Sequence, residues 1–371
     1  MQFDLNEDQA MLRNATRELL ENEAALADSR GVMEESAEGF DKSIYRQLGE
    51  LGYLGLLLSE EEGGLGPIAF AIVMAEMGRV AFPGPFLDLT LAARTLADCS
   101  NEVAREWLAK ATEGDATVVL AQEESLHGTP PAQPATRYAD GKVTGSKGFV
   151  PFGAEADALI VSTAEGLALV ARPGTGWNAT PLTTIDHAQR FVGIEFDNEA
   201  TLIAGKEEGA NLLAQALRLG ALGASAQMVG LMERALEIAV EYTSEREAFG
   251  APIGSFQALQ HRCADMLIQT ESARSATFRA AWAEEAGEDN AGYLASVAKA
   301  WAGPAGRFVG GQAIQLLGGV GFTWEYDPHI YLKRLKTLEQ FHGSTSWHVE
   351  NALAHAPVLA SAGSVSYTHL T

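Results

Sequence analysis

The chain is short of the residues that would make it a disulfide-stapled protein, a metalloprotein or a nucleic-acid binder. Of its 371 residues only two are cysteine, Cys99 and Cys263, too few for a disulfide framework and without the paired spacing of a zinc site. A reducing, cytoplasmic setting is the corresponding expectation. The eight histidines are scattered without ligand spacing, so no metal site is expected. Basic residues are outnumbered, 26 against 49 acidic, for a formal charge of -23. Polyanions and anionic bilayers would be repelled, which excludes nucleic acid and membrane surfaces as expected partners. A phosphate-bearing cofactor is not excluded, because it needs only a few local cations. No apolar run approaches about 18 residues, so no membrane insertion is expected, and the polar start MQFDLNEDQA is unlike a signal peptide. The sequence also lacks GxGxxG after a strand, GxxxxGK(S/T), HExxH and GxSxG.

What is present is a globular composition, 47% hydrophobic and 20% charged, over a length that calls for two or three packed regions. Helical periodicity runs from Asn6, a candidate N-cap, to Glu23, and again over 43–51, 68–77, 86–97 and 103–111, with a break at Pro83-Gly84-Pro85. From about Thr117 the texture changes to short β-branched runs (TVVLAQ, KVTGSKGFV, ALIVSTA, LALVAR, RFVGIEF), the pattern of a small antiparallel β region. From about Asn211 the helical period returns. Met228, Leu231, Met232, Ala235, Leu236, Ala239 and Tyr242 form one stripe. Phe256, Leu259, Cys263, Met266 and Leu267 form a second, which places Cys263 in a core. Helices, then strands, then helices imply a segregated α+β multidomain fold without βαβ alternation. The segments are 1–115 (helical), 116–207 (β), 208–360 (helical) and a tail, 361–371, whose SVSYTHLT continues no earlier pattern and whose origin the sequence leaves open.

Two stretches carry candidate chemistry. In SEREAFGAPIGSFQALQHRCADM, Arg246 closes one long helix, Phe249 and Gly250 turn the corner, and Gln257 opens the next helix. An arginine at such a corner can hold a pyrophosphate through its planar fork of donors; its bland reading is a surface ion pair with Glu245 or Glu247. In QLLGGVGFTWEYDPHIYLKRLKTLEQFHGSTS, Gly318 and Gly319 follow Gln315 and either cap a helix or let the backbone approach a bound group.

Together these stretches resemble the acyl-CoA dehydrogenases. The resemblance extends to QLGELGYLGLLLSEEEGGLG and GSKGFVPFGAEADALIVST and spans nearly the whole chain. It implies an N-terminal helical domain, a middle β-barrel and a C-terminal four-helix bundle, assembled as dimers and tetramers with FAD between subunits. It implies cofactor contacts from Arg246, Phe249, Gln257, Gln315, Gly318 and Gly319 to a neighbour's FAD, and from Phe149 and Ser344 on the flavin side. Desaturation of an acyl-CoA thioester, with electron transfer flavoprotein as acceptor, is the implied activity.

The resemblance fails where the chemistry is. The family removes an α-proton with a glutamate, and at that position the sequence has His342, in FHGS. A smaller branch keeps its base on the preceding long helix, where this sequence has Gly220. At the β-domain stretch that holds flavin and phosphates stand Gln122-Glu123-Glu124-Ser125, whose charges would repel a pyrophosphate, and Pro151 replaces a threonine. The exported half of the FAD site is intact and the chain's own half is degraded. That asymmetry is expected of a subunit in a heteromer with a related, base-carrying dehydrogenase, as in the α2β2 branch of bacterial steroid side-chain degradation, which the GFTWE turn (Gly321 to Glu325) also resembles. The alternatives are a flavin-dependent monooxygenase on the same fold, with His342 in its pocket, and a self-sufficient homotetrameric dehydrogenase using Glu339, whose bland reading is a solvated helix residue. His342 has its own bland reading, a pocket-lining or interface histidine.

Overall fold

The computed structural model describes residues 5–125, 133–174 and 176–356, apart from the side chains of residues 27 and 28. The tail at 361–371 and most of LHGTPPAQP lie outside the described residues. The N-terminal segment holds α1 (Glu7–Glu23), α2 (Leu26–Glu35), α3 (Lys42–Glu50), α4 (Gly66–Arg79), α5 (Phe86–Ala97) and α6 (Glu102–Thr112). Helix α1 starts on a reciprocal cap: Gln9 N donates to Asn6 Oδ1 at 2.8 Å, and Asn6 N to Gln9 Oε1 at 3.0 Å. Helix α2 was not expected from the sequence. It has no side-chain cap at Ala25 and carries Gly31 in its middle, so neither capping nor propensity announces it.

The β segment is two four-stranded sheets. One has the order β1-β4-β5-β8 and the other β2-β3-β7-β6, with β1 (Val118–Ala121), β2 (Arg137–Ala139), β3 (Lys142–Pro151), β4 (Ala158–Thr163), β5 (Gly166–Ala171), β6 (Asn178–Pro181), β7 (Phe191–Glu199) and β8 (Thr201–Gly205). The expectation of a purely antiparallel region fails at one pair: β1 and β4 run parallel, Val118 opposite Ala158. Parallel neighbours need a long crossover, and β2 and β3 supply it from within the other sheet. The first sheet is buried on both faces. Val119, Ala121, Leu159, Val161, Ala168 and Val170 face the second sheet, while Val118, Leu120, Ile160, Leu167 and Leu169 face the helices. Those strands therefore read as continuous apolar runs rather than alternating ones.

The C-terminal segment comprises α7 (Lys206–Glu245), the two-residue strands β9 (Glu247–Ala248) and β10 (Ala251–Pro252), then α8 (Gln257–Glu285), α9 (Ala291–Leu317), α10 (Pro328–Gln340) and α11 (Thr345–Ala354). Helix α7 is the axis of the molecule. Every residue from Leu219 to Met232 is buried, as expected of a helix enclosed on all sides. Two glycines set how closely α4 crosses it. A Cβ on Gly78 would stand 2.2 Å from the Gln227 carbonyl oxygen, and one on Gly230 would stand 1.8 Å from that of Ala75. The second expected stripe is corrected: Met266 is buried, but Leu267 and Phe256 are exposed and Cys263 is only half-buried. With Ile268, Trp301 and Phe308 they leave an open apolar face on α8 and α9.

Gly230→Ala should lower stability by about 2–3 kcal/mol, because backbone rather than a movable side chain meets the new methyl. Gly31→Ala, where nothing lies within 4 Å, should raise it by about 0.5–1 kcal/mol. Urea denaturation of the two variants checks both signs.

Candidate functional site

Several positions expected on the chain's own flavin side, Gln122, Glu123, Phe149, Pro151 and His342, come together in one place. Asp88, Leu91, Leu120, Gln122, Glu123, Phe149, Pro151, Phe341 and His342 surround a cavity of about 10 Å³, room for about one water molecule. Phe149 is half-buried, with one face taken by a neighbouring ring. It stacks on Phe191 with ring centroids 3.9 Å apart, and Phe341 meets both rings edge-on. The site as it stands does not fit a flavin ring.

His342 is buried in the turn between α10 and α11 at φ 57°, a backbone conformation that histidine tolerates better than most non-glycine residues. Its ring lies against α7 where Gly220 leaves space. A Cβ on Gly220 would stand 2.4 Å from His342 Nδ1 and 2.7 Å from Cγ. Neither ring nitrogen has a hydrogen-bond partner. Burial, and after it the nearby Lys299 and His348, push its pKa down to about 3. The imidazole is neutral across the physiological range and too weak a base for an α-proton.

The turn is held from below. Buried Lys299 donates to the carbonyl oxygens of Glu339 and Gly343 at 3.1 and 2.9 Å, and burial lowers its pKa to about 7. His348 Nε2 lies 2.8 Å from the His342 carbonyl oxygen. A carbonyl only accepts, so Nε2 carries the hydrogen. Burial keeps His348 neutral, its pKa pushed down to about 4. Its Nδ1 then accepts from Ser296 Oγ at 3.2 Å, which in turn accepts from Asn351 Nδ2 at 2.8 Å. Sequence reasoning missed this relay and Lys299. The available signal was a lysine in phase with the buried Ala295 and Ala302 of α9. Ser344, expected to touch cofactor, instead caps α11, accepting from Trp347 N at 3.3 Å. Glu339 is not solvated: it is buried, 3.0 Å from Arg307 Nη1, with Thr345 Oγ1 at 3.3 Å.

The two acidic residues expected to repel a pyrophosphate have different fates. Glu124 is consumed by the fold, paired with buried Lys147 at 2.9 Å and accepting from Ala135 N, Thr136 N and the Thr136 hydroxyl. These bonds outweigh its partial burial and hold its pKa down at about 2. Glu123 lines the closed cavity with both carboxyl oxygens unpartnered. Burial, reinforced by Asp88, raises its pKa to about 8. Asp88 is itself pushed up to about 7 by burial, against Gln189 Nε2 at 3.3 Å and the charge of Arg334. Arg334 is buried and bonded to Asp186, Gln189 and Gln227, tying α10, α7 and the loop before β7 together behind the cavity.

The other predicted residues gather at the far end of the bundle. Arg246 caps α7, and its carbonyl accepts from Ile253 N at 2.8 Å, closing the β9–β10 hairpin. Among the described residues Arg246 makes no ion pair, so neither Glu245 nor Glu247 holds it. Phe249 sits at the hairpin tip, 97% exposed, at φ 58°. Gln257 is the first residue of α8 and Gln315 lies in the last turn of α9; both are exposed. The two helix ends adjoin, since Arg262 bonds Gln312. Gly318 ends α9 at φ 65°, and a Cβ on it or on Gly319 would meet nothing within 4 Å. Whatever those glycines let approach lies outside this chain. Arg246 is about 39 Å further along α7 than Gly220, at 1.5 Å per residue. One bound dinucleotide cannot reach from the closed cavity to this corner. Arg246, Phe249, Gln257, Gln315, Gly318 and Gly319 thus lie together at this outer corner, away from the closed cavity.

Two family profiles match the chain: "Acyl-CoA dehydrogenase, N-terminal domain" over residues 6–115 and "Acyl-CoA dehydrogenase, C-terminal domain" over residues 207–356. The chain is 32% identical over 338 residues to the acyl-CoA dehydrogenase IpdE2 of Mycobacterium tuberculosis, covering 88% of this chain and 91% of that protein. Among solved structures, a variant of the Tcur3481–Tcur3483 steroid ACAD superposes with a TM-score of 0.85 at 27% identity, over 96% of this chain and 99% of that one. The ChsE4–ChsE5 complex of M. tuberculosis gives 0.84 at 26%, over 96% and 100%. The fold and the matches define an oxidoreductase family, and this chain belongs to the acyl-CoA dehydrogenases. Among the described residues no helix is long and apolar enough to cross a membrane.

Glu123 binds a proton in the folded protein up to about pH 8 and in the unfolded chain only to its ordinary range. The native state therefore holds the extra proton between those values, and stability falls as pH rises through that window. Glu123→Gln removes this loss. Its melting temperature should exceed that of the unaltered chain by a margin that grows from about pH 5 to about pH 9; parallel curves would refute the assignment.

Proposed function

We propose that this chain is the subunit without a catalytic base in a heteromeric FAD-dependent acyl-CoA dehydrogenase, and that it lends part of the FAD site to its partner. The observation carrying this reading is the split between a closed cavity with no carboxylate at either base position (His342 and Gly220) and an exposed, unpaired corner about 39 Å away. Arg246 would donate to the pyrophosphate of a FAD seated in a homologous subunit. Gln257 and Gln315 would offer side-chain amides beside it, and Gly318 and Gly319 would let the backbone come close. Phe249, almost fully exposed on a turn that nothing in its own chain covers, would be buried by that partner.

FAD, when bound there, supplies the hydride acceptor for the β-carbon of an acyl-CoA thioester. The α-proton would go to a carboxylate of the partner, because this chain has none at either base position, His342 or Gly220. Electron transfer flavoprotein is the acceptor implied by family, and the two-component structures among the neighbours support a paired assembly. The monooxygenase reading loses support, since no room for flavin and oxygen exists beside His342. The self-sufficient reading loses support because Glu339 is engaged by Arg307.

The decisive measurement is flavin stoichiometry. Purified alone, the chain should retain little FAD; co-purified with a homologous base-carrying subunit, the pair should hold about one FAD per two chains. Arg246→Ala should weaken FAD retention by the pair at least about tenfold while leaving its melting temperature close to unchanged, a loss of about 1.4 kcal/mol or more. A fully flavinated, active homotetramer of this chain alone would refute the proposal.

A further inference from the structure

Missing flavin contacts alone would leave a flavin site weak but open, whereas here the space is filled. Three features close it, all meeting at the turn Phe341-His342-Gly343. The His342 ring lies against α7, in a slot that exists only because residue 220 has no side chain: a Cβ there would be 2.4 Å from the ring. The turn carrying His342 is fastened on both sides, by Lys299 to the carbonyls of Glu339 and Gly343 and by His348 to the carbonyl of His342 itself. Beside His342, Phe341 from the same turn packs edge-on against Phe149 and Phe191, and Phe191 covers one face of the half-buried Phe149 ring. The volume left is about 10 Å³.

Resting on the heteromer reading above, we infer that His342 and Gly220 form an interlocked plug that keeps flavin out of this chain's own pocket, and so determine which subunit carries the cofactor. The plug suits its place chemically. A neutral imidazole can be buried without a counter-charge, and a left-handed backbone at residue 342 aims it at α7 rather than into solvent. The aromatic stack holds in place the turn's other residue, Phe341, whose ring centroid lies 4.0 Å from that of His342. Removing the ring of residue 342 takes away both the steric block and the contact that depends on Gly220. An ordinary structural residue would give only loss on substitution; a plug gives gain of binding.

The test uses the full chain purified alone, titrated with FAD and followed by flavin fluorescence, with the unaltered chain beside His342→Gly and His342→Asn. Both replacements accept the left-handed backbone, so the second is available if the first folds poorly. FAD should bind either variant at least about tenfold more tightly than the unaltered chain, and it should survive desalting. A second readout needs no flavin. Gly220→Ala should lower the melting temperature by several degrees when His342 is present and by little or nothing in the His342→Gly background, because the clash is between those two residues. Variants that fold like the unaltered chain yet gain no FAD, or Gly220→Ala effects equal in both backgrounds, would overturn the plug and leave the heteromer reading standing. One FAD per chain on the unaltered protein alone would overturn both.

Discussion

Helix α7 is the constraint on which everything else rests. Its forty residues form an unbroken hydrogen-bonded rod about 60 Å long, and a rod of that kind cannot bring its middle to its end. The middle, walled by α4, α5, α9 and α10, carries Gly220 and faces the closed cavity. The end carries Arg246 and faces outward. Because the rod fixes their separation, the proposed reading assigns its middle and its end to two different cofactor sites. The heteromer proposal therefore needs assembly, and α8 and α9 present exposed apolar side chains, Leu267, Ile268, Trp301 and Phe308, on which a partner could pack.

Around the cavity the energetics favour neutrality over charge. Histidine at 342 and 348, glutamate at 123 and aspartate at 88 are all driven towards their uncharged forms, because burial penalises an ion more than any local partner compensates it. Arg334 is buried in a different setting, reaching Asp186, Gln189 and Gln227 at once. Lys299 sits between the cases: two carbonyls satisfy its donors without cancelling its charge. A centre built for proton abstraction needs the reverse, a carboxylate kept ionised beside the acidic carbon.

Much of this was legible in the sequence. The corner at Arg246 and Gln257 was readable because a helix stop and a helix start leave local signals, and the glycine pair at 318 and 319 because a left-handed cap demands that residue. The identity of His342 and Gly220 at the two base positions was readable by alignment to a family pattern. Their contact was not, since residues more than a hundred positions apart meet only through the packing of α7 against the turn after α10. The opposite fates of Glu123 and Glu124 were equally hidden. Adjacent residues on a strand end point to opposite sides, and only the fold says that one side holds Lys147 and the other an apolar cavity. The parallel pairing of β1 with β4 was hidden for the same reason: strand direction is a property of the connection, not of the strand.

The fit of the His342 ring over Gly220 has a consequence for the history of the chain. Two positions that could each host a base have become mutually exclusive in shape. A carboxylate cannot return at 220 while the imidazole is in place, because even a methyl there would overlap it. One introduced at 342 would enter a nearly filled pocket, with Lys299 close beneath it. Regaining independent activity thus requires several simultaneous replacements, each harmful or idle without the others. If the heteromer proposal holds, the ring in its slot makes dependence on a second gene product a ratchet, and the two sequences would diverge as a pair.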